Sequence, residues 1–170
     1  MGKPNILDLH PDELKELFVN KFQIEAYRAM QVYKWLYKPI SGFQEMNNIP
    51  RSVRDILERE FDFGVPKVVQ RLISTDGTEK YLLQLQDHHV IEAVRISYQR
   101  GDSLCISTQV GCKMACVFCA SGANGFIRNM TAGEILGQII AIVNIAQKKI
   151  TGVSLMGTGE PLDNFDNVIK

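Results

Sequence analysis

The sequence predicts an α/β fold, in which an α+β N-terminal module is followed by the first βα units of a partial barrel. Three stretches with different hydrophobic periods support this prediction. Apolar residues first recur at helical spacing, then alternate in three short runs that end near Ser97, and then follow a strand–loop–helix–strand order. We expect a helical module over 1–66, a small antiparallel sheet over 67–100 and βα units over 101–170.

Three helices are expected in the N-terminal module. The segment HPDELKELFVNKF begins with Pro11 and acidic residues, which the start of a helix favours, and its apolar face includes Leu14 and Phe18. The segment EAYRAMQVYKWLYK ends before Pro39 and predicts a second helix. The segment RSVRDILEREF follows Pro50 and predicts a third.

Three short runs predict the antiparallel sheet: KVVQRLIS, TEKYLLQLQ and VIEAVRIS. Asp76-Gly77 between the first two is a strong hairpin signal, and DHH between the last two is a weaker one. The remaining chain predicts a strand in SLCISTQ, a long helix whose Thr131 and Glu134 have capping-box spacing, a buried strand in GVSLMGTG and a helix from DNFDNVIK. A closed βα barrel takes more than about 200 residues, so we expect this barrel to be truncated in the chain.

Composition limits the function. A hydrophobic content of 45% and a formal net charge of zero are those of an ordinary globular protein, and they exclude a polyanion-binding surface that covers the whole chain. No apolar run reaches the roughly 20 residues that a membrane span needs, and the polar N-terminus does not resemble a signal peptide. We expect a cytoplasmic protein without a membrane partner, and in a reducing cytosol clustered cysteines favour metal binding or chemistry over disulfides.

All four cysteines lie in the stretch CISTQVGCKMACVFCASG. Cys112, Cys116 and Cys119 have the spacing C-x3-C-x2-C in a loop after a predicted strand. Three thiolates on one loop can hold three corners of a cubane iron–sulfur cluster and leave the fourth iron without a protein ligand. One alternative is a structural zinc site with Cys105 as the fourth ligand, and another is a set of unrelated buried thiols.

A second motif, MGTGEPL, follows the next predicted strand. Its glycines allow the backbone to approach another group closely, and the carboxylate of Glu160 can pair with an ammonium group. By itself the segment is equally compatible with a simple turn.

Taken together, the two motifs resemble the radical S-adenosylmethionine (SAM) superfamily, in which a G-x-G-E-type segment such as Gly159-Glu160 contacts the amino group of SAM. Further stretches resemble the adenine-C2 RNA methyltransferases of that superfamily: EAYRAMQVYKWLY, STDGT, VIEAVRIS, GFIRNMTAGEILGQI and MGTGEPLDN. The resemblance runs from about Leu9 to Lys170 and covers roughly the first half of the family pattern.

The resemblance implies methylation of C2 of an adenosine in 23S rRNA and, in some members, of a tRNA adenosine, whereas a resistance subgroup modifies C8. Cys112, Cys116 and Cys119 would hold a [4Fe-4S] cluster that binds SAM, and flavodoxin or ferredoxin would be the electron donor. The family uses a methyl-carrying cysteine near its C-terminus, and a radical derived from SAM activates that methyl group. The enzyme–RNA adduct is then resolved as a second cysteine forms a disulfide with the first.

Cys105 matches that second cysteine by position, and Glu92 matches a family position regarded as a proton acceptor. Without the resemblance, Cys105 is better explained as a small buried hydrophobe on a strand. Alternation places Glu92 on one face with Val90, Val94 and Ile96. Burial on an apolar face would favour its protonated form, and the alternative is a solvated carboxylate near a strand edge.

Two regions are candidates for RNA binding. The segment EAYRAMQVYKWLYK combines lysines with aromatic side chains, although the aromatic rings are also suited to packing a small core. Near the cysteine loop, basic residues outnumber the single acid Asp102 between residues 95 and 130; they are Arg95, Arg100, Lys113 and Arg128.

The sequence departs from the family pattern because no cysteine follows Cys119, so the methyl-carrying residue is absent. We therefore expect these 170 residues alone to be inactive. Two functions remain open: a radical-SAM RNA methyltransferase represented by its N-terminal half, or a non-catalytic RNA- or protein-binding module that retains an iron–sulfur or zinc loop. A different radical-SAM reaction, such as glycyl-radical activation, is disfavoured by the N-terminal module.

Overall fold

The computed structural model describes residues 2–99, 101–114, 116–122 and 125–170, and it confirms the α/β fold class. The three expected N-terminal helices are present as α1 (Pro11–Glu16), α2 (Ala26–Leu36) and α3 (Arg51–Glu60). A π-helical turn, Leu17–Lys21, continues α1. No helix in the described part of the chain is long and apolar enough to cross a membrane.

The apolar faces of these helices meet in one core. Leu14 and Phe18 of the first helical segment are fully buried, as their spacing predicted. The same core contains residues from α2, α3 and the segments between them: Ala29, Val32, Leu36, Phe43, Met46, Val53, Leu57 and Phe61. The N-terminal module therefore has a hydrophobic core of its own.

The three predicted alternating runs form β1 (Lys67–Ile73), β2 (Glu79–Gln84) and β3 (Val90–Tyr98). Both predicted hairpin turns are confirmed. Gly77 and His88 have positive φ angles of 82° and 69° at the two turns, and this left-handed conformation reverses the chain between paired strands.

The second half of the chain contains β4 (Gly101–Cys105), β5 (Gln109–Gly111), β6 (Phe126–Asn129), α4 (Ala132–Ala146), β7 (Ile150–Ser154) and α5 (Phe165–Ile169). The strand expected in SLCISTQ is interrupted after Cys105, and β5 pairs with β6 in a separate two-stranded sheet. This antiparallel pair was not predicted from the sequence. The predicted capping box at Thr131 and Glu134 is confirmed at the start of α4.

One five-stranded sheet, in the order β1-β2-β3-β4-β7, passes through most of the chain. The first four strands are antiparallel, whereas β4 and β7 are parallel. Tyr98 pairs with Gly101, so the antiparallel strands and the first βα unit share a continuous sheet. The division into 1–66, 67–100 and 101–170 stays a prediction.

The prediction that GVSLMGTG forms a buried strand is wrong. β7 lies at an edge of the sheet, and Val153 remains 47% exposed. An apolar run is compatible with an edge strand as well as a central one, because the pattern does not say how many neighbours a strand has.

Helix α4 packs between the N-terminal core and the sheet. Ile142 is buried against the sheet, while Ile140 is buried in the N-terminal core. Gly137 allows close approach, since a Cβ atom there would lie 2.5 Å from the carbonyl oxygen of Gly64. Asp8 of the N-terminal module accepts a hydrogen bond from the backbone N–H of Gly133 at 2.6 Å. This helix is therefore the main link between the two cores.

Candidate functional site

The segments that carry the two sequence motifs lie side by side. The backbone N–H of Gly157 donates to the carbonyl of Ile106 at 3.0 Å, and that of Thr108 donates to the carbonyl of Thr158 at 2.9 Å. The N–H of Thr158 donates to the hydroxyl oxygen of Ser107 at 2.9 Å. The chain just before the cysteine loop is thus bonded directly to the MGTGEPL motif.

Both glycines of the motif are required by this close approach. A Cβ atom on Gly157 would lie 2.8 Å from backbone atoms of Ile106, and one on Gly159 would lie 2.7 Å from the Cβ of Gln109. Gly159 also has a positive φ of 112°, which disfavours other residues. The two glycines therefore serve to bring Glu160 against the segment that leads into the cysteine loop.

The cysteine loop follows β5 and is largely exposed. Cys112 is buried, and its N–H donates to the carbonyl of Gly125 at 3.1 Å. This hydrogen bond joins the start of the loop to the residue just before β6. Cys116 and Cys119 are exposed, and a turn joins them through a 3.0 Å hydrogen bond from the N–H of Cys119 to the carbonyl of Cys116. Phe118 between them is 90% exposed.

The thiols suit a soft metal centre. All four cysteines are free, and hydrogen bonds from the backbone and side chain of Ser121 lower the pKa of Cys119, which favours the thiolate that metals bind. Within the described residues, no group of three or more His, Cys, Asp or Glu side chains is already arranged around one metal position. Three thiols on one loop fit an iron–sulfur cluster by the chemistry of the donors.

Glu160 is half-buried at the start of a 3-10 turn, Pro161–Asn164. Its backbone N–H donates to the side-chain oxygen of Gln109 at 2.9 Å, and its carboxylate accepts from the N–H of Leu162 at 3.0 Å. The backbone of Glu160 is therefore fixed by the segment that precedes the cysteine loop.

Sequence reasoning missed Gln109 and Asp163. The amide of Gln109 is fully buried and donates to the side chains of both Asn129 and Asp163 at 2.8 Å. The other carboxylate oxygen of Asp163 lies 2.7 Å from Nζ of Lys113. A signal was present for Asp163, which is part of the quoted stretch MGTGEPLDN, whereas Gln109 is a single polar residue at the end of SLCISTQ.

Cys105 and Glu92 share one face of the sheet. Cys105 pairs with Val94 of β3 and with Ser154 of β7, and Glu92 lies two residues before Val94. Residues two apart on a strand point to the same side, so both side chains lie on the face opposite the buried Ile91. The structure therefore places these two predicted residues on adjacent strands with a common orientation.

Glu92 faces a cavity of about 310 Å³ beside the cysteine loop, which is also lined by Gly111, Ala120, Ser121 and Thr158. Of the two interpretations of Glu92, the structure agrees with the solvated carboxylate, because the side chain is 50% exposed and forms a 2.6 Å ion pair with Lys80. The side chains of β3 alternate between the two faces as predicted, but the hydrophobic core packs against the face opposite Glu92. The proposed roles of Glu92 and Cys105 stay predictions.

Comparisons with known proteins point to one family. Residues 4–62 match the family described as the ribosomal RNA large subunit methyltransferase N-terminal domain. A probable dual-specificity RNA methyltransferase RlmN of Clostridium botulinum (strain Okra / Type B1) is 50% identical over 98% of this chain and 49% of its own length. The corresponding protein of Clostridium novyi (strain NT) is 44% identical over the same shares.

A solved structure agrees with these matches. The crystal structure of a radical SAM methyltransferase from Sphaerobacter thermophilus superimposes with a TM-score of 0.92 and 32% identity, over 98% of this chain and 50% of that one. Nearly the whole chain is therefore similar to part of the dual-specificity RNA methyltransferases. It spans about half the length of the curated relatives that it matches.

The positive charge expected near the cysteine loop is largely neutralised. Arg95 is buried between Glu79 and Asp102, Arg128 is paired with Asp87 and Glu134, and Lys113 with Asp163. Arg100 lies outside the described residues. The sequence count was misleading because most of the acids that pair with these bases come from outside the interval 95–130.

The aromatic side chains of α2 divide into two groups. Tyr33 and Trp35 pack partly against the N-terminal core, as the packing interpretation expected. Tyr27 and Tyr37 are half-exposed, and Arg28 lies over the Tyr27 ring with its Cζ 4.8 Å from the centroid. The aromatic and basic surface that remains exposed on this helix is therefore smaller than the sequence suggested.

Proposed function

We propose that this chain forms the cofactor-binding part of a radical-SAM enzyme that methylates C2 of an adenosine in 23S rRNA. The dual specificity in the names of its relatives supports tRNA as a second substrate. The observation that carries the proposal is the direct bonding between the segment leading into the cysteine loop and the MGTGEPL motif. This contact joins the segment that leads into the thiol loop to the turn that carries Glu160.

In this proposal the thiolates of Cys112, Cys116 and Cys119 hold a [4Fe-4S] cluster. When bound, such a cluster supplies the electron that cleaves SAM, and this chemistry belongs to the cofactors. The chain contributes the thiol donors, the hydrogen bonds that favour the thiolate of Cys119, and the buried start of the loop at Cys112. Flavodoxin or ferredoxin is the proposed electron donor.

Glu160 is proposed to bind the amino group of SAM. A carboxylate pairs well with an ammonium group, and the close contact of Gly159 with Gln109 fixes the backbone from which it projects. Placing such a partner on rigid neighbouring strands and turns limits its freedom before the ligand binds.

Cys105 and Glu92 are proposed to act on the RNA, with Cys105 resolving the covalent adduct and Glu92 accepting a proton. Their common sheet face and the cavity beside the cysteine loop support this assignment. The reaction also needs a methyl-carrying cysteine, and none follows Cys119 in these 170 residues. We therefore expect the 170-residue chain to bind cofactors without methylating RNA.

Anaerobic reconstitution with iron and sulfide tests this proposal. We expect about four irons per chain with the charge-transfer absorbance of thiolate-bound iron. Changing Cys112, Cys116 or Cys119 singly to Ala should abolish the cluster, and Cys105→Ala is the matched control that should keep it. Stoichiometric zinc uptake without a cluster would contradict the radical mechanism and favour the alternative, a non-catalytic RNA- or protein-binding module.

A further inference from the structure

The carboxylate of Asp163 connects the cysteine loop to the turn that carries Glu160. One oxygen lies 2.7 Å from Nζ of Lys113, the residue after Cys112, and the other accepts a hydrogen bond from the Gln109 amide at 2.8 Å. Asp163 itself lies three residues after Glu160 in the same 3-10 turn. A single side chain thus contacts both halves of the proposed cofactor site.

Gln109 completes the connection from inside the protein. Its amide nitrogen uses both hydrogens, one on Asp163 and one on Asn129, and its oxygen accepts the backbone N–H of Glu160. Rotating this buried amide by half a turn would place its NH₂ group against the N–H of Glu160 and its oxygen against a carboxylate. The side chain is therefore held in one orientation, and Glu160 with it.

The pair formed by Lys113 and Asp163 has little value as a stabilising contact. The Lys113 side chain is 54% exposed, and an exposed ion pair contributes little to stability because solvent and salt screen it. Hydrogen bonds from Lys113, and secondarily from Gln109, lower the pKa of Asp163, so the carboxylate is charged at neutral pH. Its position between two loops of the proposed site therefore suggests a geometric role.

We propose that Lys113, Asp163 and Gln109 are positioning residues that hold the cysteine loop and Glu160 at a fixed separation, and that SAM affinity depends on this bridge. The inference rests on the proposed function, in which SAM contacts the cluster and Glu160 at once. A ligand that must reach two groups binds best when their separation is set beforehand, because ordering them then costs less at binding.

The first test needs no cofactor. In Asp163→Asn, the Gln109 amide loses its charged acceptor, so the hydrogen bond from the Glu160 N–H to Gln109 is held less firmly. Hydrogen exchange of the Glu160 amide should then become about tenfold faster, the change expected when one hydrogen bond is lost. Asp166→Asn, an exposed neighbour in α5, is the matched control and should exchange at the wild-type rate. Unchanged exchange at Glu160 in Asp163→Asn would overturn the bridge.

The second test measures SAM binding by equilibrium dialysis with the reconstituted 170-residue chain. Asp163→Asn and Lys113→Met should each raise the dissociation constant about tenfold, as for one lost charged hydrogen bond. The double variant should be no worse than either single one. Iron content should stay at the wild-type level, and Lys113→Arg, which keeps the ion pair, should restore affinity.

The outcomes separate the two proposals. A wild-type chain that takes up the cluster but does not bind SAM contradicts the proposed function. The hydrogen-exchange rates of the Glu160 amide then still show whether Asp163 and Gln109 hold Glu160 in place. If the wild-type chain binds SAM and the Asp163 and Lys113 variants bind it equally well, the positioning role is wrong while the cofactor site stands.

Discussion

Glu79 is a carboxylate that the fold buries among basic and phenolic side chains. Arg71 donates two hydrogen bonds to it, at 2.8 and 2.9 Å, and Arg95 and Tyr81 contact it from the core side. The hydrogen bonds from Arg71, followed by those from Arg95 and Tyr81, outweigh the effect of burial and lower the pKa of Glu79 from 4.5 to about 2. Its charge is therefore part of the folded structure.

This environment predicts a pH-dependent contribution to stability. A carboxyl whose folded pKa is depressed stabilises the fold above its unfolded value of 4.5, and this contribution is lost as the pH falls towards 2. We expect Glu79→Gln to lower the free energy of unfolding at pH 7 by about 3 kcal/mol, because it leaves Arg71 without its anion and the buried Arg95 with only one of its two. The difference in unfolding free energy between Glu79→Gln and wild type should shrink as the pH falls below 4.5. Urea titrations at a series of pH values would measure it.

Glu16→Gln serves as the control for this change. Glu16 is exposed on α1, and its replacement should alter the free energy of unfolding by less than about 0.5 kcal/mol at any pH in the series. If the loss of unfolding free energy in Glu79→Gln stays constant from pH 7 down to the acid limit, it does not come from the ionised carboxylate of Glu79.

Residue-level chemistry was only partly predictable from the sequence. The cysteine spacing and the glycines of MGTGEPL could be recognised because each is a local pattern with a local geometric reason. The ion pairs of Arg95 and Arg128 could not, since their acidic partners lie up to 41 residues away in sequence. Long-range partners depend on strand register, which no single segment encodes.

At the level of elements, local signals predicted the helices, hairpins and caps, and the tertiary arrangement determined the rest. The capping box of α4 is encoded within four residues, and the structure has it. The face of β3 that becomes buried depends instead on where α4 packs, so the alternation placed Glu92 on one side of the strand but left both a buried and a solvated environment open. The edge position of β7 is likewise a property of the sheet.

The contact between α4 and the N-terminal module predicts a specific effect of volume at Gly137. An added Cβ atom would lie 2.5 Å from the Gly64 carbonyl oxygen and 3.0 Å from Pro66, and a backbone oxygen cannot rotate away as a flexible side chain can. Alanine favours a helix by about 1 kcal/mol over glycine, yet we expect Gly137→Ala to destabilise the protein by about 1–3 kcal/mol through overpacking. Thermal and urea unfolding would measure it.

Gly42→Ala is the matched substitution for this prediction. Gly42 has an extended φ of 178°, and no atom lies within 4 Å of the position of an added Cβ, so no loss is expected. Equal stability of Gly137→Ala and wild type would mean that α4 and the N-terminal module are not tightly packed at this point.

At the scale of the whole molecule, α4 contributes to both hydrophobic cores. Ile140 is 6% exposed within the N-terminal core, and Ile142 is fully buried against the sheet. Because one rigid helix supplies side chains to both, loss of either core removes packing from the other. The two cores are therefore expected to unfold in a single cooperative transition.

Substitutions on opposite sides of α4 test this cooperativity. Ile140→Ala and Ile142→Ala should each lower the free energy of unfolding by about 2–5 kcal/mol. Both should shift the urea midpoint of Trp35 fluorescence, which reports on the N-terminal module, by the same amount as the midpoint of β3 amide signals in NMR spectra. Ile145→Ala on the same helix, at a side chain that is 43% exposed, should leave both midpoints in place. If Ile140→Ala shifts only the Trp35 midpoint, the two midpoints are separate. The N-terminal module then unfolds independently of the five-stranded sheet.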